Sequence, residues 1–115
     1  MERDLKERTK AFALRVIRLY SRLPKTTVAQ VMGKQVLRSA TSVGANYREA
    51  DEGRSKAEFI AKMGDSLREL SETEYWLELL IESGTTKPEA MTPLLEETRQ
   101  LKAIFSTIIR KARSA

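Results

Sequence analysis

Apolar residues return every three or four positions along almost the whole chain, and the phase of that return is interrupted at three places. Leu5, Thr9, Phe12, Val16, Leu19 and Leu23 form the first stripe. Pro24 closes it, because a residue that precedes proline is pushed out of α geometry. This predicts a helix over about 4–22. A second helix, over about 27–52, starts at Thr26 or Thr27, either of which caps free amides. Its inward stripe is Val28, Met32, Val36, Ser39, Val43, Tyr47 and Ala50. Gly33 and Gly44 lie inside it at a cost of about 1 kcal/mol each against alanine, tolerable where they make room for a neighbour. Gly53 is expected to end it in the left-handed conformation.

A third helix, over about 55–83, opens on the capping box Ser55-Lys56-Ala57-Glu58 and ends at Gly84. Its stripe is Ile60, Met63, Leu67, Leu70, Glu74, Leu77 and Ile81. A fourth, over about 88–113, begins at Pro88. Pro93 deletes a backbone bond one turn later and predicts a kink or restart. Beyond it Leu94, Thr98, Leu101, Phe105, Ile108 and Ala112 mark the inner face. Four such periods with short connections predict an all-α fold. It is an antiparallel up-down-up-down four-helix bundle, with residues 1–115 as one domain.

The stretch 35–70 puts small and polar residues where leucines would serve a plain core. A turn at Asp51-Glu52-Gly53-Arg54 sets Arg38 opposite Glu69, Asn46 opposite Ala61 and Glu49 opposite Glu58. The expected result is a polar seam of Gln35, Arg38, Ser42, Asn46, Glu49, Ser66 and Glu69. Arg38 and Glu69 would form a bidentate ion pair in it. Breaking such a pair, if buried, costs on the order of 3–5 kcal/mol. The seam reads either as a register device or as the lining of a ligand or RNA site.

Tyr75-Trp76-Leu77-Glu78-Leu79-Leu80-Ile81 is apolar nearly all round. Trp76 and Leu80 fall roughly 110–150° from the stripe of their helix. A monomer would leave them wet, so Tyr75, Trp76, Leu79 and Leu80 are expected at an interface between subunits.

Charge adds a second face. The chain carries +5 overall, and residues 1–25 hold eight Lys/Arg against three Asp/Glu. Arg8, Arg15, Arg18 and Arg22 share about a quarter of the first helix's circumference, with Lys25 just beyond. The stripe reads as a solvated face, a nucleic-acid surface or an attachment to anionic membrane. Aromatic interleaving, which would support single-strand stacking, is missing.

The 115 residues include no cysteine and no histidine. Thiolate metal sites, disulfides and the usual general base are thereby excluded. Glu74 lies on the inner stripe and needs a cationic partner. No phosphate loop, dinucleotide fingerprint or nucleophile elbow occurs. These absences predict a protein that is not an enzyme and takes no cofactor or metal. The first residues carry no secretory leader and no apolar run is long enough to span a bilayer, so a cytoplasmic location without membrane attachment is expected.

Gln35-x-x-Arg38, Ser42-Val43-x-x-Asn46, Glu49, Arg54-Ser55-x-x-Glu58-Phe59 and Ser66-x-x-Glu69-Leu70 occur in order. Together they resemble the four helix bundle protein family, founded on proteins encoded in intervening sequences of bacterial 23S ribosomal RNA genes. The resemblance covers nearly the whole chain, although the first and fourth helices match only in pattern. Ala50 after Glu49 departs from the family's usual glycine, which is delayed here to Gly53. The family is similar to accessory variability proteins of diversity-generating retroelements, and Lys87-Pro88-x-Ala90-Met91-Thr92-Pro93 resembles that group in particular. The resemblance implies a homopentamer, binding of RNA or DNA through basic surfaces, and a reverse transcriptase as a possible partner. It carries over no catalytic residue. The alternative is a structural adaptor whose partner is another protein.

Overall fold

The interruptions in the apolar pattern are where the helices end. The computed structural model describes residues 2–115, with side chains from Leu5 onward. It holds α1 (Glu2–Ser21), α2 (Thr27–Asp51), α3 (Lys56–Glu82) and α4 (Pro88–Ser114). Thr26 Oγ1 accepts the Ala29 amide at 3.2 Å and starts α2. Ser55 Oγ accepts the Glu58 amide at 3.1 Å and starts α3, which is the hydroxyl half of the capping box. Gly84, at φ +75°, closes α3 in the left-handed conformation.

Gly53 does not adopt the left-handed conformation expected of it. Its amide bonds to Ala50 O at 3.0 Å, and a Cβ there would stand 3.0 Å from that same oxygen. The turn needs glycine for close approach, not for positive φ. Pro93 does not break α4, which is continuous from Pro88 to Ser114. The bond it deletes would end on the carbonyl of Glu89, an exposed residue in the first turn.

Neighbouring helices run antiparallel. Gly44 faces Thr9 and Gly33 faces Tyr20 across α1 and α2. Ser39 meets Thr73, and Ser66 meets Val43, across α2 and α3. Glu74 meets Arg99 and Lys102 across α3 and α4, and Arg8 meets Glu97 across α1 and α4. The chain therefore runs up, down, up, down through a body of 46 × 20 × 19 Å. The α2–α3 contact is the most extensive and the α1–α4 contact the least.

Phe12, Val36, Tyr47, Leu70, Leu101 and Phe105 are among the residues that fill the core, where the Tyr47 and Phe105 rings meet edge to face at 5.9 Å. Two phases differ from expectation. Val28 is exposed, because the buried face of α2 runs through Ala29, Gly33 and Val36 and turns Val28 away from it. On α3 the fully buried residues are Met63, Ser66, Leu70, Thr73, Leu77 and Leu80. Ile60, Leu67, Glu74 and Ile81 are only half-buried. The small Ser66 and Thr73 let α2 come close, so the α2 side of α3 is sealed more tightly than the α4 side. Leu80 lies on that sealed side with no exposure, and Trp76 packs against the core beside it. Leu80 is not left wet by one subunit and Trp76 only in part, contrary to expectation.

Candidate nucleic-acid interface

The arginines of α1 divide into two kinds. Arg8 lays its guanidinium fork on Glu97 at 2.7 and 2.8 Å, and also reaches Gln100 at 2.8 Å. That hydrogen bond to Glu97 is the main cause of its raised pKa. Arg8 is thus a strut between α1 and α4, not a free cation, and it leaves the candidate set. Arg15, Arg18 and Arg22 follow on the same face, with Lys25 in the loop after it, and these four make no ion pair among the described residues. Arg15 is half-buried and the other three are exposed.

The structure brings to this face a residue that the α1 stripe omits. Lys87, immediately before α4, lines the same groove as Arg15, Arg18 and Arg22. Its place was latent in the antiparallel pairing, since Arg8 opposite Glu97 carries Arg18 to the level of Lys87. A second basic group near the end of α4, Arg110 and Arg113, makes no ion pair among the described residues and lies outside the α1 stripe.

The polar seam resolves into a dry part and a wet part. Ser39 Oγ and Thr73 Oγ1 share a buried hydrogen bond of 2.7 Å. Ser66 Oγ donates to Val43 O at 2.8 Å, also buried. Arg38 donates to Glu69 at 3.3 Å but gives its other Nη to Glu72, and it is half exposed. It is therefore a surface bridge between two carboxylates, not the expected bidentate lock, and an exposed pair contributes only about 0–1 kcal/mol. Gln35 accepts from Arg38 Nε at 3.4 Å, and Ser42 Oγ donates to Arg38 O within its own helix. Asn46 is half-buried, with no side-chain hydrogen bond among the described residues. Glu49 pairs with Lys62 at 2.6 Å, about one turn further along α3 than the expected Glu58. Buried hydroxyl contacts, not turn geometry, set this register.

Glu74 finds the partners it needs. Lys102 Nζ lies at 2.6 Å and Arg99 Nε at 2.7 Å, and these hydrogen bonds, Lys102 first, lower its pKa. Its carboxylate ties α3 to α4 and has no acid–base companion. Among the described residues no three His, Cys, Asp or Glu side chains gather where they could hold a metal ion. No helix there is long and apolar enough to cross a membrane.

Of the four expected interface residues, Tyr75 is 54% exposed and Leu79 half-buried, whereas Leu80 and most of Trp76 belong to the subunit's own packing. Trp76 Nε1 is shielded from solvent without a hydrogen-bond partner. The exposed apolar residues that the α2 stripe had counted as core or passed over are Val28 and Val31.

Comparison with known proteins adds a family. The family described as 23S rRNA-intervening sequence protein matches residues 2–107. A crystal structure of a protein of unknown function from the S23 ribosomal protein family of Bacteroides thetaiotaomicron superposes with a TM-score of 0.88. It is 39% identical, and the match covers 96% of this chain and 99% of that one. Among curated proteins none matches.

Proposed function

The chain belongs to the 23S rRNA-intervening sequence protein family, and from that premise we propose that it is a non-catalytic, self-assembling bundle that holds RNA or DNA on the basic face of α1. The carrying observation is a contrast. Arg8, Arg38 and Arg99 are all spent on carboxylates, while Arg15, Arg18, Arg22 and Lys25 pair with none among the described residues. Cations left unpaired on one face release counterions when phosphates replace water around them. Five copies, the number the resemblance implies, would repeat that face and turn weak contacts into avidity.

Filter binding with a structured RNA tests the reading. If each subunit makes about three to four phosphate contacts, affinity should fall on the order of 50–150-fold between 50 and 200 mM salt. The triple variant Arg15→Glu, Arg18→Glu, Arg22→Glu should lose binding while circular dichroism stays unchanged. No binding by the native protein at low salt sinks the proposal.

A second reading, in which the partner is a protein, is favoured by one observation: Val28, Val31 and Tyr75 are each more than half exposed. Under that reading the triple variant still captures its partner and RNA is irrelevant.

A further inference from the structure

Where α1 and α4 part at one end of the bundle, they leave a groove of about 500 Å³. One wall is α1 from Arg15 to Leu23, and the other is the α3–α4 connection with the first turns of α4. Leu19, Leu23, Met91 and Leu94 give it an apolar lining, three of them buried in the core. Arg15, Arg18, Arg22 and Lys87 add the charge, and no Asp or Glu lines it. None of the four cations forms an ion pair among the described residues.

No carboxylate among the described residues answers this charge. The chain has 16 acidic residues, and it uses one of them, Glu97, to neutralise Arg8 on the same two helices. Two turns further along α1 the facing position on α4 is Ala90, which is exposed, and the cations stand alone. Lys87 caps α4 without a side-chain acceptor, so the first amides of that helix add a partial positive charge at the same place.

We propose that this groove binds a nucleotide through its phosphomonoester. The arginine forks and Lys87 hold the phosphate, and the base lies on the apolar lining. Planar guanidinium forks match phosphate oxygens bidentately and also stack on a base. A monoester carries close to two charges at neutral pH, against one for an internal diester, and suits a cluster of four cations better. The groove's size falls within the roughly 300–1,000 Å³ of small-molecule sites. The group has two sources: a free nucleotide, or the 5′-phosphorylated end of an RNA. The inference rests on the RNA-binding reading only in the second case.

Two titrations of the full chain test it. Calorimetry compares 5′-AMP, adenosine and inorganic phosphate. Filter binding compares two RNAs of one sequence, with and without a 5′-phosphate. Both are repeated with Lys87→Glu and with Ala90→Glu. These exposed sites lie off α1, and the first turn of a helix favours acidic residues. The expected result is a preference of about tenfold for AMP over adenosine, or about fivefold for the 5′-phosphorylated RNA. Both variants should abolish the preference, so that each variant binds the 5′-phosphorylated and 5′-hydroxyl RNAs alike, even where the added negative charge weakens both. A preference seen only with AMP assigns the free nucleotide, and one seen only with RNA assigns the strand end. Equal binding of AMP and adenosine together with equal binding of the two RNAs overturns the groove. Inorganic phosphate as tight as AMP overturns the nucleotide. The RNA-binding reading fails separately, when 5′-hydroxyl RNA does not bind at all.

Discussion

Arg8 and Arg15 lie two turns apart on one face of α1, and only their surroundings make one a strut and the other a cation available to a ligand. Glu74 shows the same dependence from the acidic side. Hydrogen bonds from Lys102 and Arg99 hold its carboxyl below the ordinary glutamate value, against the opposing effect of desolvation. A carboxyl whose pKa is lowered by folding adds stability above its unfolded value of 4.5, and that stability is lost as pH falls through the lower folded value. Glu74→Gln should therefore cost about 1–2 kcal/mol at pH 6, since hydrogen bonds to charged groups are worth roughly 1.5–3 and the partners here are partly exposed. Below about pH 4.5 the variant's melting temperature should fall less steeply, and the two curves should converge. Parallel curves between pH 6 and pH 3 would show that the α3–α4 bridge does not stabilise the fold. That Glu74 needed a partner was legible in its place on an inner stripe. Which partner it takes was not, because Arg99 and Lys102 lie on a helix whose rotation the sequence leaves open.

Between helices, the glycines separate a spacing requirement from a tolerated defect. A Cβ on Gly44 would meet Thr9 Oγ1 at 3.1 Å and Thr9 Cβ at 3.4 Å. Thr9 is fully buried and its hydroxyl is held by Leu5 O at 2.7 Å, so it has nowhere to retreat. Gly44→Ala should destabilise by about 1–3 kcal/mol, the usual range for overpacking. Gly64 sits mid-helix in α3 with nothing within 4 Å of the same probe position. Gly64→Ala should stabilise by about 0.5–1 kcal/mol from helix propensity alone. Urea denaturation of both variants checks the pair, and a loss of stability at Gly64 would mean its face is covered by another molecule. Caps, helix order and helix lengths were readable because each depends on a few adjacent residues, as at Thr26 and Ser55. The phase of α3 was not. Ser66 was expected in the seam but not on the helix's inner stripe, and Thr73 looks like a surface residue until Ser39 is known to lie against it. Counting leucines therefore turned the helix away from α2 and wrongly left Leu80 outside.

At the scale of the molecule, that rotation changes which surface can meet another subunit. Arg38 bonds Glu72 on the outer side of the α2–α3 pair. Val31 is two turns from Arg38 on the same side of α2, and Tyr75 is one turn from Glu72 on the same side of α3. Val28 lies one turn before Val31, so this side of the α2–α3 pair carries three exposed apolar residues, each between 54% and 56% accessible. Large apolar residues exposed on one side of a bundle are candidates for a surface that meets another molecule. Sedimentation velocity separates this surface from the buried residues next to it. If the native protein is an oligomer held by this face, Val31→Glu and Tyr75→Glu should shift it toward the 13.1 kDa monomer with helicity intact. Trp76→Glu should instead unfold the chain, because the ring packs on the core and its Nε1 is already shielded without a partner. A folded monomeric Trp76→Glu protein would return Trp76 to the interface. A native protein sedimenting at 13.1 kDa would leave the surface to a different protein and remove the avidity on which the arginine face depends.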